Sequence, residues 1–181
     1  ELPTVGLPGD YFYSPMQLQG EWGPYQETIC SVDPSGRGSD ETTAAYLSQR
    51  NGVLYLHEMR AYKDGYSDTT LLDILKGCRK YNVTTLLIES NFGDGIVAEL
   101  FKKHIAQTKQ PLNVEETRAN VRKEDRIIDT LEPVLNQHRL VVDKSVIEWD
   151  YASNPDTAPL TLLHKVYNTL LMHLVFLHNK K

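Results

Sequence analysis

Long apolar runs, cysteine and surplus positive charge are all scarce in this chain of 181 residues, and each scarcity removes a class of function. The longest apolar tract, Leu160 to His178, is broken by His164, Lys165, Asn168 and His173, which disfavours a bilayer span and reads instead as a core helix. No charged stretch followed by an apolar one opens the sequence, so a secretory leader is not expected. Only two cysteines occur, Cys30 and Cys78, in apolar or helical surroundings and without metal-ligand spacing. They read as small buried residues of a reduced, intracellular protein rather than as a disulfide framework. Acidic residues outnumber Lys and Arg by 24 to 19, a net charge of −5. That balance disfavours a tight stand-alone nucleic-acid binder, whose affinity comes from neutralising phosphates. Basic residues gather only locally, at Lys102 and Lys103 and at Arg118, Arg122, Lys123 and Arg126. A solvated helix face competes there with phosphate contact.

What is present is an ordinary globular composition, 40% hydrophobic, enough for one substantial core and a single domain. The stretch through Tyr25, with its prolines and glycines, reads as an extended linker or wrapping arm rather than a packed element. Thr28–Val32, Thr42–Arg50 and Val53–Ala61 read as three strands. Asn51 and Gly52 form a tight-hairpin signal between the last two. Asp68 reads as the cap of a helix over Thr69–Tyr81 whose Leu71, Leu72, Leu75 and Cys78 line one face, and Asn82 closes it. Thr84–Ile88 suits a strand buried on both faces. A helix over Gly95–Thr108, a short strand within Pro111–Thr117 and a helix over Lys123–Gln137 follow, the last expected to kink or end early at Pro133. Arg139–Asp143 and Val146–Tyr151 alternate and predict an appended β-hairpin. The result is an α/β, ribonuclease H-like fold. Three antiparallel strands are followed by parallel strands in one mixed sheet flanked by helices, with that hairpin appended.

Two carboxylates stand out in this frame. Asp33 lies where the apolar run ending in Val32 meets the glycine-rich turn Pro34 Ser35 Gly36 Arg37 Gly38, and Glu89 ends the run Leu86 Leu87 Ile88 before Ser90 Asn91 Phe92 Gly93 Asp94 Gly95. In a ribonuclease H-like fold the strands carrying them lie side by side, which brings Asp33 and Glu89 together. Acids on rigid strand ends beside flexible loops suit a hard divalent cation and phosphate-backbone chemistry.

The segments Val32–Gly38, Glu89–Gly95 and Arg126–Val134 resemble the nuclease domain of the large terminase subunit of tailed, podophage-like double-stranded DNA bacteriophages. Tyr11–Met16 and Trp22–Tyr25 resemble the linker that precedes it, and the similarity spans roughly the first four-fifths of the chain. The resemblance implies residues 1–25 as an arm from an ATPase domain and 26–181 as the nuclease. No GxxxxGK[ST] loop occurs in this sequence, so the ATPase itself is not expected within it.

It further implies an endonuclease that cuts concatemeric viral DNA during packaging, using two Mg²⁺ or Mn²⁺ ions, with Asp33 bridging them and Glu89 holding one. Double-stranded DNA, the portal protein and the small terminase subunit are the implied partners, at the procapsid in the host cytoplasm, with no membrane role. Asp40 and Asp94 are implied as outer-shell residues, against local turn or capping roles. The family's usual third acid, near an Asp-Ala step on the last helix, has no counterpart after Asp156. Either the chain is altered or cut short at that end, or Asp129 on the Lys123–Gln137 helix is the substitute carboxylate, against a solvated residue paired with Arg126, and Glu124 and Asp125 are weaker candidates. His164 and His173 are not counted as ligands, while Trp149 and Tyr151 choose between packing and DNA stacking. A catalytically weak DNA-clamping or portal-docking module is the alternative. A sugar-kinase or actin-like ATPase lobe is a third reading, for which Gly93 Asp94 Gly95 is a poor second phosphate loop.

Overall fold

A computed structural model describes residues 4–7, 10–13, 15–19, 23–35, 41–89, 95–118 and 123–153. The strands are β1 (Thr4–Leu7), β2 (Asp10–Tyr13), β3 (Met16–Leu18), β4 (Glu27–Asp33), β5 (Thr42–Arg50), β6 (Val53–Tyr62), β7 (Thr85–Glu89), β8 (Asn113–Thr117) and β9 (Leu140–Asp143). The helices are α1 (Asp68–Lys80), α2 (Ile96–Thr108), α3 (Lys123–Asn136) and α4 (Lys144–Ser153). β1 and β2 form an antiparallel ribbon. The other seven strands form one mixed sheet in the order β3-β9-β6-β5-β4-β7-β8. Within it β4, β5 and β6 are antiparallel neighbours, and β4–β7, β7–β8, β6–β9 and β3–β9 run parallel.

Local chemistry accounts for most of these elements. Asn51 and Gly52 take positive φ of 51° and 77°, the pair of left-handed residues that matches a two-residue turn to the twist of β5 and β6. Ser67, rather than the expected Asp68, caps α1 by accepting from the Thr70 amide, Leu72 is exposed rather than on the buried face, and Asn82, at φ 53°, ends the helix. There the Asn82 and Val83 amides donate back to the Arg79 and Cys78 carbonyls.

The sheet is covered on both faces. On one, Cys30, Val32, Ala44, Tyr46, Leu86 and Ile88 pack with Leu71, Ile74 and Cys78 of α1 and Val97 and Phe101 of α2. On the other, Ala45, Leu47, Leu54, Leu56 and Val142 pack with Leu131, Val134 and Leu135 of α3 and Val146 of α4. Both cysteines are fully buried in the first core, as expected. No described helix is long and apolar enough to cross a membrane.

Three local expectations are corrected. The appended β-hairpin is absent: Leu140–Asp143 is an interior strand of the main sheet, parallel to β6 and β3, and the next segment is the helix α4. The cause is local, because the Asp143 carboxylate accepts from the Ser145 amide at 2.8 Å and from its hydroxyl, an N-cap that starts a helix. Pro133 does not end α3 early. The proline is exposed, and the helix runs on to Asn136 before His138, at φ 53°, stops it with Arg139 donating to the Val134 carbonyl. Finally, the stretch expected to be unpacked contributes β3, whose Met16, Gln17 and Leu18 pair with Val141, Val142 and Asp143. Its side chains are largely exposed, so main-chain pairing rather than an apolar pattern makes it a strand.

Candidate active site

Asp33 is the last residue of β4 and Glu89 the last of β7. These strands are parallel neighbours whose register pairs Ile29 with Thr85 and Val32 with Ile88, so its next step sets Asp33 beside Glu89. Side chains alternate faces along a strand. Cys30, Val32, Leu86 and Ile88 face α1 and α2, so Asp33 and Glu89 share the opposite face of the sheet. Across from Asp33 on β5 is Thr43, and across from Glu89 on β8 is Thr117. Glu89 is only 8% exposed and Asp33 is half-buried. Two neighbouring strands, each held by flanking strands, thus end in acids on the same face of the sheet.

The other predicted residues divide clearly. Asp129 is exposed on α3. Leu131, Val134 and Leu135 are the residues that α3 turns into the core, and at 3.6 residues per turn Asp129 falls on the far side of the helix from them. The structure therefore does not bring it to the other two, and among the described residues no three His, Cys, Asp or Glu side chains gather as a metal-binding cluster. Asp40, Asp94 and the segment with His164 and His173 lie outside what is described, as do the side chains of Glu124, Asp125 and Tyr151. Lys103 and Arg118 are exposed, and Lys102 pairs with Glu99 at 2.7 Å. Trp149 is 43% exposed on α4.

Sequence reasoning missed two polar constellations. Immediately beyond Asp33, the Ser35 amide donates to the Thr42 hydroxyl at 3.0 Å and the two hydroxyls meet at 3.1 Å, all buried. The run Glu41 Thr42 Thr43 closing the glycine-rich loop was the available signal.

The second lies on β6 and α1. The register between β5 and β6 slips at Tyr46 and Leu47, a bulge at His57. Glu58 accepts from Lys80 at 2.9 Å, from the Tyr81 hydroxyl at 2.5 Å and from Arg60, which also reaches Asp73 at 2.6 Å. Burial pushes the Glu58 carboxyl up, but the Tyr81, Lys80 and Arg60 donors outweigh it and hold it below the usual range. These residues, with Trp149, line a groove of about 420 Å³. Its charges are paired with one another and it contains neither Asp33 nor Glu89.

The ribonuclease H-like domain of the bacteriophage T7 terminase, as a family, matches residues 32–140. This chain belongs to that family. The terminase domain is 46% identical over 160 residues to the terminase large subunit of Enterobacteria phage T3, a match covering 86% of the chain and 26% of that protein. It thus spans about a quarter of this curated relative's length. Among solved structures it resembles the large terminase of a thermophilic bacteriophage, with 17% identity, 76% of this chain and 34% of that one covered, and a TM-score of 0.53. It also resembles the human cytomegalovirus terminase nuclease domain in a manganese-soaked, inhibitor-bound form, with 11% identity, 83% and 81% covered, and a TM-score of 0.56. The fowlpox virus Holliday junction resolvase aligns at 14% identity over 85% and 99%, with a TM-score of 0.52. At such identities the likeness is one of fold, and it agrees with the mixed, helix-flanked sheet described above.

Proposed function

We propose that this terminase domain is a metal-dependent endonuclease that cuts concatemeric viral double-stranded DNA during packaging. The observation that carries this reading is the adjacency of Asp33 and Glu89, on one sheet face, at the ends of the parallel strands β4 and β7. Its donor chemistry fits a hard cation: carboxylate oxygens at the ends of strands held in one sheet. Asp33 would hold both Mg²⁺ or Mn²⁺ ions, and Glu89 one of them. Such ions, when bound, supply charge stabilisation to a phosphoryl group and a water more acidic than bulk water. The chain's own part is to hold the two carboxylates on one face of the sheet at the ends of neighbouring strands. Asp129 is not included, because its exposed side chain lies on the far side of α3.

The net charge of −5 supports a division of labour in which the DNA is held mainly by other parts of the packaging assembly. A portal protein, a small subunit and a site of action at the procapsid in the host cytoplasm belong to this reading through the family, in which large terminase subunits serve packaging. Plasmid DNA incubated with the domain and Mn²⁺ should be nicked or linearised. Asp33→Asn and Glu89→Gln should each abolish cutting while circular dichroism and melting stay native-like. Cleavage retained by both variants overturns the site. A wild-type domain inactive across metals and concentrations favours the DNA-clamping or portal-docking alternative.

A further inference from the structure

Asp33 is followed by Pro34, which has no amide hydrogen, so the first donor beyond the strand end is the amide of Ser35. That amide is satisfied by the Thr42 hydroxyl at 3.0 Å, and the Ser35 and Thr42 hydroxyls add a second contact at 3.1 Å. Ser35 is 6% exposed and Thr42 1%, so water does not compete for these bonds. A third wall stands against them, because a Cβ placed on Gly65, in the turn between β6 and α1, would sit 3.6 Å from the Ser35 hydroxyl. Thr42 is the first residue of β5, and its neighbour Thr43 is the register partner of Asp33. Ser35 and Thr42 are therefore tied together by side-chain chemistry two residues beyond the candidate ligand.

We infer that Thr42, through its buried hydroxyl bond to Ser35, is a positioning residue that fixes the direction of Asp33 for metal binding. The inference rests on the reading of Asp33 and Glu89 as the metal-holding pair. Without the clamp, β4 would be secured on its two sides by β5 and β7 but free to fray at the end where the carboxylate is needed. Threonine suits the task because its branched Cβ restricts χ1, holding the hydroxyl toward Ser35 at little entropic cost. Partners one step removed from a metal commonly change affinity or activity by roughly 10–100-fold when removed, which sets the size of the expected effect.

The test uses the folded domain with Mn²⁺ alone as probe. Binding is followed by loss of the free Mn²⁺ electron paramagnetic resonance signal, local order by amide hydrogen exchange at Ser35, and cutting by plasmid nicking. Thr42→Val should release protection at Ser35 while leaving Ile29 and Cys30 protected. It should also weaken Mn²⁺ binding by about 10–100-fold, with a parallel loss of nicking. Thr42→Ser should restore all three readouts. Ser35→Ala, which keeps the amide bond and loses the hydroxyl contact, should weaken Mn²⁺ binding less but in the same direction. It carries the test if Thr42→Val fails to fold. Unchanged Mn²⁺ affinity in a folded Thr42→Val variant, or in Ser35→Ala if the former does not fold, overturns the clamp alone. A wild-type domain that binds no Mn²⁺ overturns the metal site and the clamp together.

Discussion

Replacing Gly77 by alanine should destabilise this domain, although the same change in most helices does the opposite. Gly77 lies inside α1, where alanine is ordinarily favoured over glycine by about 0.5–1 kcal/mol. Here a Cβ would stand 2.2 Å from the Tyr46 hydroxyl oxygen, 2.3 Å from Cζ and 2.7 Å from Cε1. Ordinary contact requires the ring or the helix to retreat by about 1 Å. Neither has room. Tyr46 is fully buried, its hydroxyl donates to the Ile74 carbonyl at 3.0 Å, and its ring lies 5.3 Å from that of Tyr81.

Overpacking of a tight core costs roughly 1–3 kcal/mol, and losing the Tyr46 bond adds about 1 kcal/mol. Set against the propensity gain, the net destabilisation is about 1–3 kcal/mol, or roughly 2–4 °C of melting temperature per kcal/mol for a domain of this size. Thermal and urea unfolding followed by circular dichroism measure it. Tyr46→Phe should not rescue Gly77→Ala, because Cζ and Cε1 stay in the way. Tyr46→Leu should, so the double variant should be more stable than the sum of the single losses predicts. A Gly77→Ala protein as stable as wild type, or more so, refutes the reasoning.

Two further predictions concern β6 and α4. Burial lowers the His57 pKa to about 4 from an ordinary 6.5, an effect that Asp143 opposes and Lys80 reinforces. Between those values only the unfolded chain takes up the proton, so this contribution is complete above pH 6.5 and is lost as the pH falls toward 4. Melting temperature plotted against pH should therefore be flatter in this window for His57→Gln than for wild type, and parallel curves would contradict the assignment. Asp143→Ala removes the N-cap of α4 and should lower stability by about 0.5–2 kcal/mol in urea unfolding, while Asp143→Asn, which keeps an acceptor, should lie near wild type. Equal losses in both would show that charge rather than capping matters there.

The elements legible in the amino-acid order are those whose instructions are local. The β5–β6 hairpin is written in Asn51 and Gly52, α1 in the spacing of Leu71, Leu75 and Cys78 ahead of Asn82, and β4 and β7 in short apolar runs that each end in an acid. Because the β4–β7 pairing follows from that order of elements, the neighbouring places of the strands that end in Asp33 and Glu89 were legible too. Tertiary structure alone decided the remainder. Four residues, three apolar and then an acid, Leu140–Asp143, suit a hairpin arm or an interior strand equally well, and only the distant β6 and β3 choose between them. β3 leaves its apolar Met16 and Leu18 largely unburied and exists through main-chain pairing with β9. Asp129 could not be excluded as a ligand until packing chose which side of α3 meets the sheet, and the Ser35–Thr42 clamp joins residues across a loop whose letters say nothing of where its ends meet. Turns, caps and periodicity act over a few residues and are set by steric and hydrogen-bonding preference. Strand neighbours, buried faces and side-chain clamps depend on which distant surfaces exclude water together, and that is settled only when the whole sheet closes.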